Sequence, residues 1–264
     1  MIKINKIACP PELTLEKQQE LTLKYINTKE AVWQQSFIKN ALLKSSHNKC
    51  AYCECMLGQE SKYLEVEHYH HKDKYPNKVV EWDNLLPSCK RCNGSKGAFD
   101  TNLNDFINPS VVEPKEHMIL DDYRLRPTSL AGENTIEELN LNDSAKLIVV
   151  RYQVSEAVIN SLEDIYQSIS TYIETPSSRK LNKITSASKS VFKEGLSNAA
   201  YAGTVSTVLL KNQTYNLITD FLKLMHQWDE EFQNIHTNLQ NNALSTDFDL
   251  FHQYFSVKFS QLRS

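Results

Sequence analysis

The chain has 264 residues, 41% of them hydrophobic, and a formal net charge of -3. That length allows one large or two modest domains with a real core, and the charge excludes a generally basic nucleic-acid binder. No apolar run is long enough to cross a bilayer, and the opening MIKINKIACPPELTLEKQQ lacks the apolar core of a secretory signal, so a soluble, cytoplasmic protein is expected.

The first elements read as a support. IKINK alternates and is predicted as a short edge strand ended by Cys9, Pro10 and Pro11. Pro11 is then placed to open a helix in which Leu15, Leu21, Leu23 and Ile26 recur in helical period. A second helix, over roughly 30–44, carries Val32, Trp33, Phe37, Ile38, Leu42 and Leu43. Both are expected to pack on the cysteine-rich segment C-terminal to them. Cys9 stands alone and reads as a small hydrophobe.

The stretch from Cys50 to Gly97 holds the chemistry. Five of the six cysteines fall in it, and four form two C-x2-C pairs, Cys50/Cys53 and Cys89/Cys92. In a reducing compartment this pattern means metal and not disulfides. Four thiolates suit a closed, tetrahedral, structural Zn2+ site. Cys55 can compete with Cys53 as a ligand, but the x2 spacing favours Cys53. From Lys44 to Gly97 there are nine Lys or Arg against seven Asp or Glu, a mildly positive balance that can meet a phosphate backbone.

Between the two pairs lies VEHYHHK. The segment YLEVEHYHH alternates like a strand, KDKYPNKVV reads as a connecting loop, and CKRCNGSKGAF starts a short helix. Phosphodiester hydrolysis needs a base, a hard cation and something to hold the base in place. His68 has the chemistry of a base. Glu67 and Asn93 offer oxygen ligands to Mg2+ or Mn2+. Asn84 can bridge the backbone of the loop and fix the strand that carries His68. Lys90 and Lys96 are candidate phosphate contacts. His70 and His71 read as structural or surface residues.

The order acid-His, Asn-Leu, then Cys-x2-Cys-Asn-x2-Lys-Gly resembles the HNH endonucleases and their beta-beta-alpha-metal fold. The resemblance implies that His68 is the general base, that Glu67 and Asn93 bind the catalytic metal, and that Asn84 stabilises the hairpin loop. Two positions depart from the usual pattern: Glu67 stands where the family has Asp, and Asn93 where it often has His. More widely, EWDNLLPSCKRCNGSKG, FINPSVVEPKEHM, DYRL and TIEELNLND are similar to the PtuB-type HNH proteins of Septu antiphage defence, some of which accompany retrons. This likeness spans about the first 150 residues. It implies a bacterial defence nuclease that works with a PtuA-like ATPase. The chain shows no P-loop, so any ATP use is expected to come from another protein.

Beyond Phe99, FINPS and VVEPKEHMIL are predicted as an extended wrap, and MILDDYRLRP as a strand whose Arg124 and Arg126 either meet nucleic acid or face solvent. TIEELNLND closes this part. From Ser144 the period changes to three and four, with Val150, Val154, Ile159, Leu162, Ile165, Ile169 and Ile173 on one predicted helix and Pro176 opening the next. LNKITSASKSVFKEGLSNAAYAGTVSTVLLKNQT follows, then one long helix over QTYNLITDFLKLMHQWDEEFQNI and a last one over DFDLFHQYFSVKF. Phe248, Phe251, Tyr254, Phe255 and Phe259 share a face of that last helix, either as core or as a docking surface.

The expected fold is α+β: a zinc-stapled beta-beta-alpha-metal module inside a mostly helical protein. Residues 1–143 form the expected nuclease domain with its helical arm, and 144–264 a helical domain for partner docking. The expected function is metal-dependent cleavage of nucleic acid, DNA in first place. The competing readings are a zinc-knuckle binding module for nucleic acid or protein, and a regulatory subunit without activity of its own.

Overall fold

The computed structural model describes residues 1–59 and 63–261. The chain falls into two compact units. The first contains Met1–Ile119, Leu125–Asn142 and the segment from Phe248; the second contains Leu120–Arg124 and Asp143–Asp247.

The first unit opens with α1 (Leu15–Thr28) and α2 (Ser36–Ser45). The predicted edge strand at its head is not formed. Ile2 and Ile4 are buried, and Ile4 N–H donates to the Pro109 carbonyl at 2.8 Å. Pro109 has no N–H to return, so a ladder cannot grow from this contact. Helix α1 begins later than Pro11, because the Thr14 side chain accepts the Lys17 N–H and caps it. Leu21 and Tyr25, one turn apart, face the core, whereas Leu15 and Leu23 are 74% and 61% exposed. Helix α2 starts at Ser36 and buries Ile38, Ala41 and Leu42. The helices join Val66, Val79, Val80, Trp82 and Leu85 in one core.

Two strands, β1 (Leu64–His68) and β2 (Leu85–Cys89), form the antiparallel hairpin of this unit. Leu64 pairs with Cys89, Glu67 with Leu86 and His68 with Leu85. The chain turns directly from β2 into α3 (Lys90–Lys96), which Cys89 caps. The order is therefore strand, strand, helix. A second hairpin, β3 (Met118–Asp121) and β4 (Arg124–Pro127), turns at Asp122 and Tyr123, both at positive φ as a tight two-residue hairpin turn requires. Helix α4 (Leu130–Glu138) follows.

The second unit is helical. A π-helical turn at Ser144–Ile148 leads into α5 (Val149–Glu174), followed by α6 (Ser178–Lys193), α7 (Ala202–Lys211), α8 (Gln213–Leu224) and α9 (Glu230–Asn242). On α5, Val158, Leu162, Ile165 and Ile169 are core, and Ile173 is exposed. Helix α6 starts after Pro176, with Ser177 as its cap. The LNKITS…KNQT stretch forms α6 and α7, with Tyr201 at positive φ between them. The helix predicted over QTYNLITDFLKLMHQWDEEFQNI is broken: it stops at Met225, with His226 at positive φ and Asp229 capping α9. Core residues from all five helices meet, Phe192, Tyr215 and Phe232 among them.

Helix α10 (Phe248–Gln261) groups with the first unit, although its sequence places it after the second. Glu133 of α4 explains this: its carboxylate takes a hydrogen bond from Tyr254 at 2.7 Å and the Lys258 ammonium at 2.6 Å. Arg126 of β4 lies over the Phe251 ring at 5.8 Å.

Close approach in the second unit requires Gly195. A β-carbon there would stand 2.3 Å from Leu239 Cδ2 and 2.8 Å from Ser206 Oγ, which itself donates to the Gly195 carbonyl. Gly195→Ala is expected to lower stability by about 1–3 kcal/mol, the usual cost of overpacking a filled core. Chemical denaturation checks this, and an unchanged midpoint would contradict the packing described.

Candidate functional site

The thiols of Cys50, Cys53, Cys89 and Cys92 converge, with all four Sγ atoms within 4.8 Å of one another. Cys53 Sγ and Cys89 Sγ are 3.7 Å apart. Zinc–sulfur bonds of about 2.3 Å in a tetrahedron place sulfurs about 3.8 Å apart, so the cluster fits a Zn2+ ion with four thiolates. All four residues are buried. Local backbone bonds build the first turn: Cys50 N–H donates to the Cys55 carbonyl, Glu54 N–H to Cys50, and Ala51 N–H to Pro87 of β2. Cys55 is buried but stands outside the quartet. Cys9 is exposed, not packed.

Arg91, which was not singled out from sequence, belongs to this centre. Its guanidinium donates to Cys92 Sγ at 3.0 Å and to the carbonyls of Leu139 and Asn140. A zinc tetrathiolate here would carry net negative charge for Arg91 to offset, and Arg91 ties the second turn to the end of α4. Its position inside CKRC was the available signal.

The hairpin β1–β2 carries the acid and the histidine. Val66, Glu67 and His68 are all buried, so the simple alternation read from sequence ends at this point. His68 Nε2 lies 2.9 Å from the Val79 carbonyl oxygen, and its ring meets Trp33 edge to face with centroids 4.7 Å apart. Burial pushes the imidazole down to about 3, with Lys72 and Lys96 adding to the effect. A carbonyl can only accept, so Nε2 carries the proton and Nδ1 keeps its lone pair. Asn84 is buried, and its amide accepts from His70 N–H at 2.7 Å and donates to the carbonyls of His70 and Lys78. It thus clamps both ends of the loop between the strands.

Glu67 meets Lys96. The Lys96 ammonium is 2.7 Å from Glu67 Oε1 and donates to the His68 carbonyl at 2.9 Å. Burial is the largest influence on the Glu67 carboxyl and lifts it to about 7, while Lys96 pulls the other way. Lys96 is therefore the partner of Oε1. The buried Tyr52 hydroxyl is without a partner among the described residues. A carboxylate suits a hard cation, which at this oxygen would take the place of the ammonium.

Of the two lysines expected at phosphate, Lys90 is exposed at the start of α3, and Lys96 is buried inside the module. Lys96 therefore points inward at Glu67 and not outward at a ligand. Asn93 is half-buried and lies one turn before Lys96 on the same side of α3. His70 bonds Thr101 Oγ1 through Nδ1 at 3.0 Å, and the His71 Nδ1 accepts the Asp73 N–H at 3.3 Å. Burial lowers both imidazoles. His70, Tyr69, Asn84 and Phe106 line a cavity of about 310 Å³ on the loop.

Comparison with known proteins identifies the family. Residues 50–99 match the family model described as HNH endonuclease. The chain is 35% identical over 246 residues to the Septu protein PtuB of Bacillus thuringiensis, covering 92% of this chain and 95% of that protein. It is 28% identical over 182 residues to the Septu protein PtuB of Bacillus mycoides (strain KBAB4), covering 52% and 61%. The site and fold define an HNH-type endonuclease, a hydrolase of phosphodiester bonds. More particularly, the chain belongs to the Septu PtuB family of antiphage-defence nucleases. No helix among the described residues is long and apolar enough to cross a membrane.

The cluster ties two turns that share only short elements, so its binding energy is also folding energy. Cys89→Ser is expected to lose zinc and unfold the 50–97 region, read by metal content and circular dichroism. A variant that keeps its zinc and its melting profile would contradict the four-thiolate centre.

Proposed function

We propose that this nuclease hydrolyses the backbone of nucleic acid, DNA in first place, with His68 as general base. The observation that carries this reading is the contact between His68 Nε2 and the Val79 carbonyl. It sets the tautomer, and Nδ1 is then the atom that takes the proton of the attacking water. Burial keeps the ring neutral, helped by the Lys72 and Lys96 charges, so the base form is available at working pH. Asn84 is a positioning residue: by clamping the loop it holds the end of β1, and so the ring, in place.

Glu67 and Asn93 would hold Mg2+ or Mn2+. Such an ion neutralises the charge that develops on the phosphate during displacement. Two oxygen ligands from protein suit Mg2+, which keeps several waters and takes the rest of its shell from phosphate. The four-thiolate centre leaves no open position and is read as structural.

A PtuA-like ATPase is the proposed partner in defence, and the cytoplasm, where five clustered thiols stay reduced, the proposed site of action. Docking is assigned to the helical part of the chain. Phe248, Leu250, Val257 and Phe259 of α10 are exposed apolar groups and support this. One observation favours a second reading, a regulatory subunit silent by itself: the Lys96 ammonium already sits on Glu67. In that form the site waits for its partner or substrate before a metal can compete.

His68→Ala is expected to reduce cleavage by at least about 10²-fold, the lower range for losing a general base. The assay uses Mg2+ or Mn2+, with and without the ATPase, and the variant should stay folded and keep its zinc. Equal activity in both proteins would remove His68 from this role. Because the imidazole is depressed to about 3, it loses no base form as pH falls from 8 to 6, whereas Glu67, lifted to about 7, gains a proton there and loses its hold on a cation. A fall in cleavage rate over this range is therefore expected to be relieved by raising Mg2+; a fall that Mg2+ does not relieve would contradict a buried, neutral base.

A further inference from the structure

We propose that the face formed by Tyr25, Trp33, Lys29 and Lys72 receives the backbone phosphates of the substrate, with Lys72 the contact nearest the base. This inference rests on the nuclease reading and deepens it.

The two lysines expected from sequence leave a gap. Lys96 is turned inward, and Lys90 lies at the opposite end of α3 from the residue that touches Glu67 and His68. A polyanion must still be held beside His68. The structure offers a cation there. Lys72 Nζ lies over the Trp33 ring, 5.5 Å from its centroid, and that same ring packs against His68. One indole thus separates the ammonium from the imidazole.

The face continues through aromatic contacts. Trp33 meets Tyr25 edge to face at 5.7 Å, and Lys29 Nζ lies 5.0 Å from the Tyr25 centroid. Each ring supports one ammonium by a cation–π contact, which fixes the lysine without neutralising it. The backbone that carries Lys72 is braced, since Tyr25 donates its hydroxyl to Asp73 and the Asp73 N–H meets His71. Lys29 leaves from the left-handed residue that ends α1, held by its N–H bond to the Tyr25 carbonyl.

Two carboxylates lie on this face. Glu30 pairs with Lys24 at 2.7 Å, and Asp73 accepts from Tyr25 but keeps its charge within reach of Lys29 and Lys72, so positive charge exceeds negative by one across Lys24, Lys29, Lys72, Glu30 and Asp73. No carboxylate ion pair is found for Lys29 or Lys72 within the described residues. Charge therefore selects a polyanionic strand as the occupant. Trp33 is half-buried and Tyr25 buried, so the rings position the lysines and do not serve as open stacking platforms for bases. Recognition is of phosphate, without base readout.

The test measures binding of the full-length His68→Ala chain, without added Mg2+ or Mn2+, to a short fluorescein-labelled DNA duplex and to RNA of the same sequence. Anisotropy gives Kd across a salt series. Lys29→Met and Lys72→Met keep the aliphatic stem and remove the charge. Each is expected to lower the slope of log Kd against log salt by about one, and the pair together by about two. Lys72→Arg should restore the slope, and Lys146→Met, an exposed lysine of the second unit, should leave it unchanged. The nucleic acid whose slope responds identifies the substrate class. Unchanged slopes in both lysine variants, failure of Lys72→Arg to rescue, or no binding of either duplex would overturn the proposal. Wild-type cleavage by the His68→Ala chain would instead remove the base assignment, and the slopes would still decide the lysines.

Discussion

Four thiols, drawn from turns 36 residues apart in sequence, hold the first unit in register. Everything that bears on chemistry hangs between them. Cys89 ends β2 and caps α3, so one ligand sits at the joint between the hairpin and the helix. The hairpin carries Glu67 and His68, and the helix carries Asn93 and Lys96. Two five-residue strands and a seven-residue helix bury little apolar surface among themselves. A metal held by the four thiolates would add stability and set the angle between them.

On this base the protein places a costly set of groups. Glu67, His68, Asn84 and Lys96 are polar and nearly inaccessible. Most of them are satisfied: Asn84 by three backbone contacts, His68 by Val79, Lys96 by Glu67 and the His68 carbonyl. Glu67 Oε1 has the Lys96 ammonium as its partner. A hard cation at Glu67 would have to take that ammonium's place. The first two helices serve the same end, since Trp33 closes one side of the imidazole and Tyr25 braces the loop beyond it.

Much of this module was legible in the sequence because its signals are local. Two x2-spaced cysteine pairs leave little choice of ligand, and the acid-histidine pair, Asn84 and Asn93 lie at fixed intervals between and beside them. The direction of a long side chain is not local. Lys96 reads as an exposed cation in GSKG, yet the end of β1 passes over it and draws its ammonium inward. Arg91 and Trp33 were hidden for the same reason, each acting on a group remote in sequence. Helix ends in the second unit were obscured by residues at positive φ, Tyr201 and His226, neither of them glycine. The place of α10 was also illegible: Glu133, 121 residues before Tyr254, decides it.

Chelation followed by hydrogen exchange tests the central claim most directly. Removing zinc from the intact chain is expected to expose the amides of residues 64–97 to fast exchange while the core of α5–α9 keeps its protection. If the hairpin and α3 stay protected after the metal is gone, the thiolate cluster is not what assembles the site.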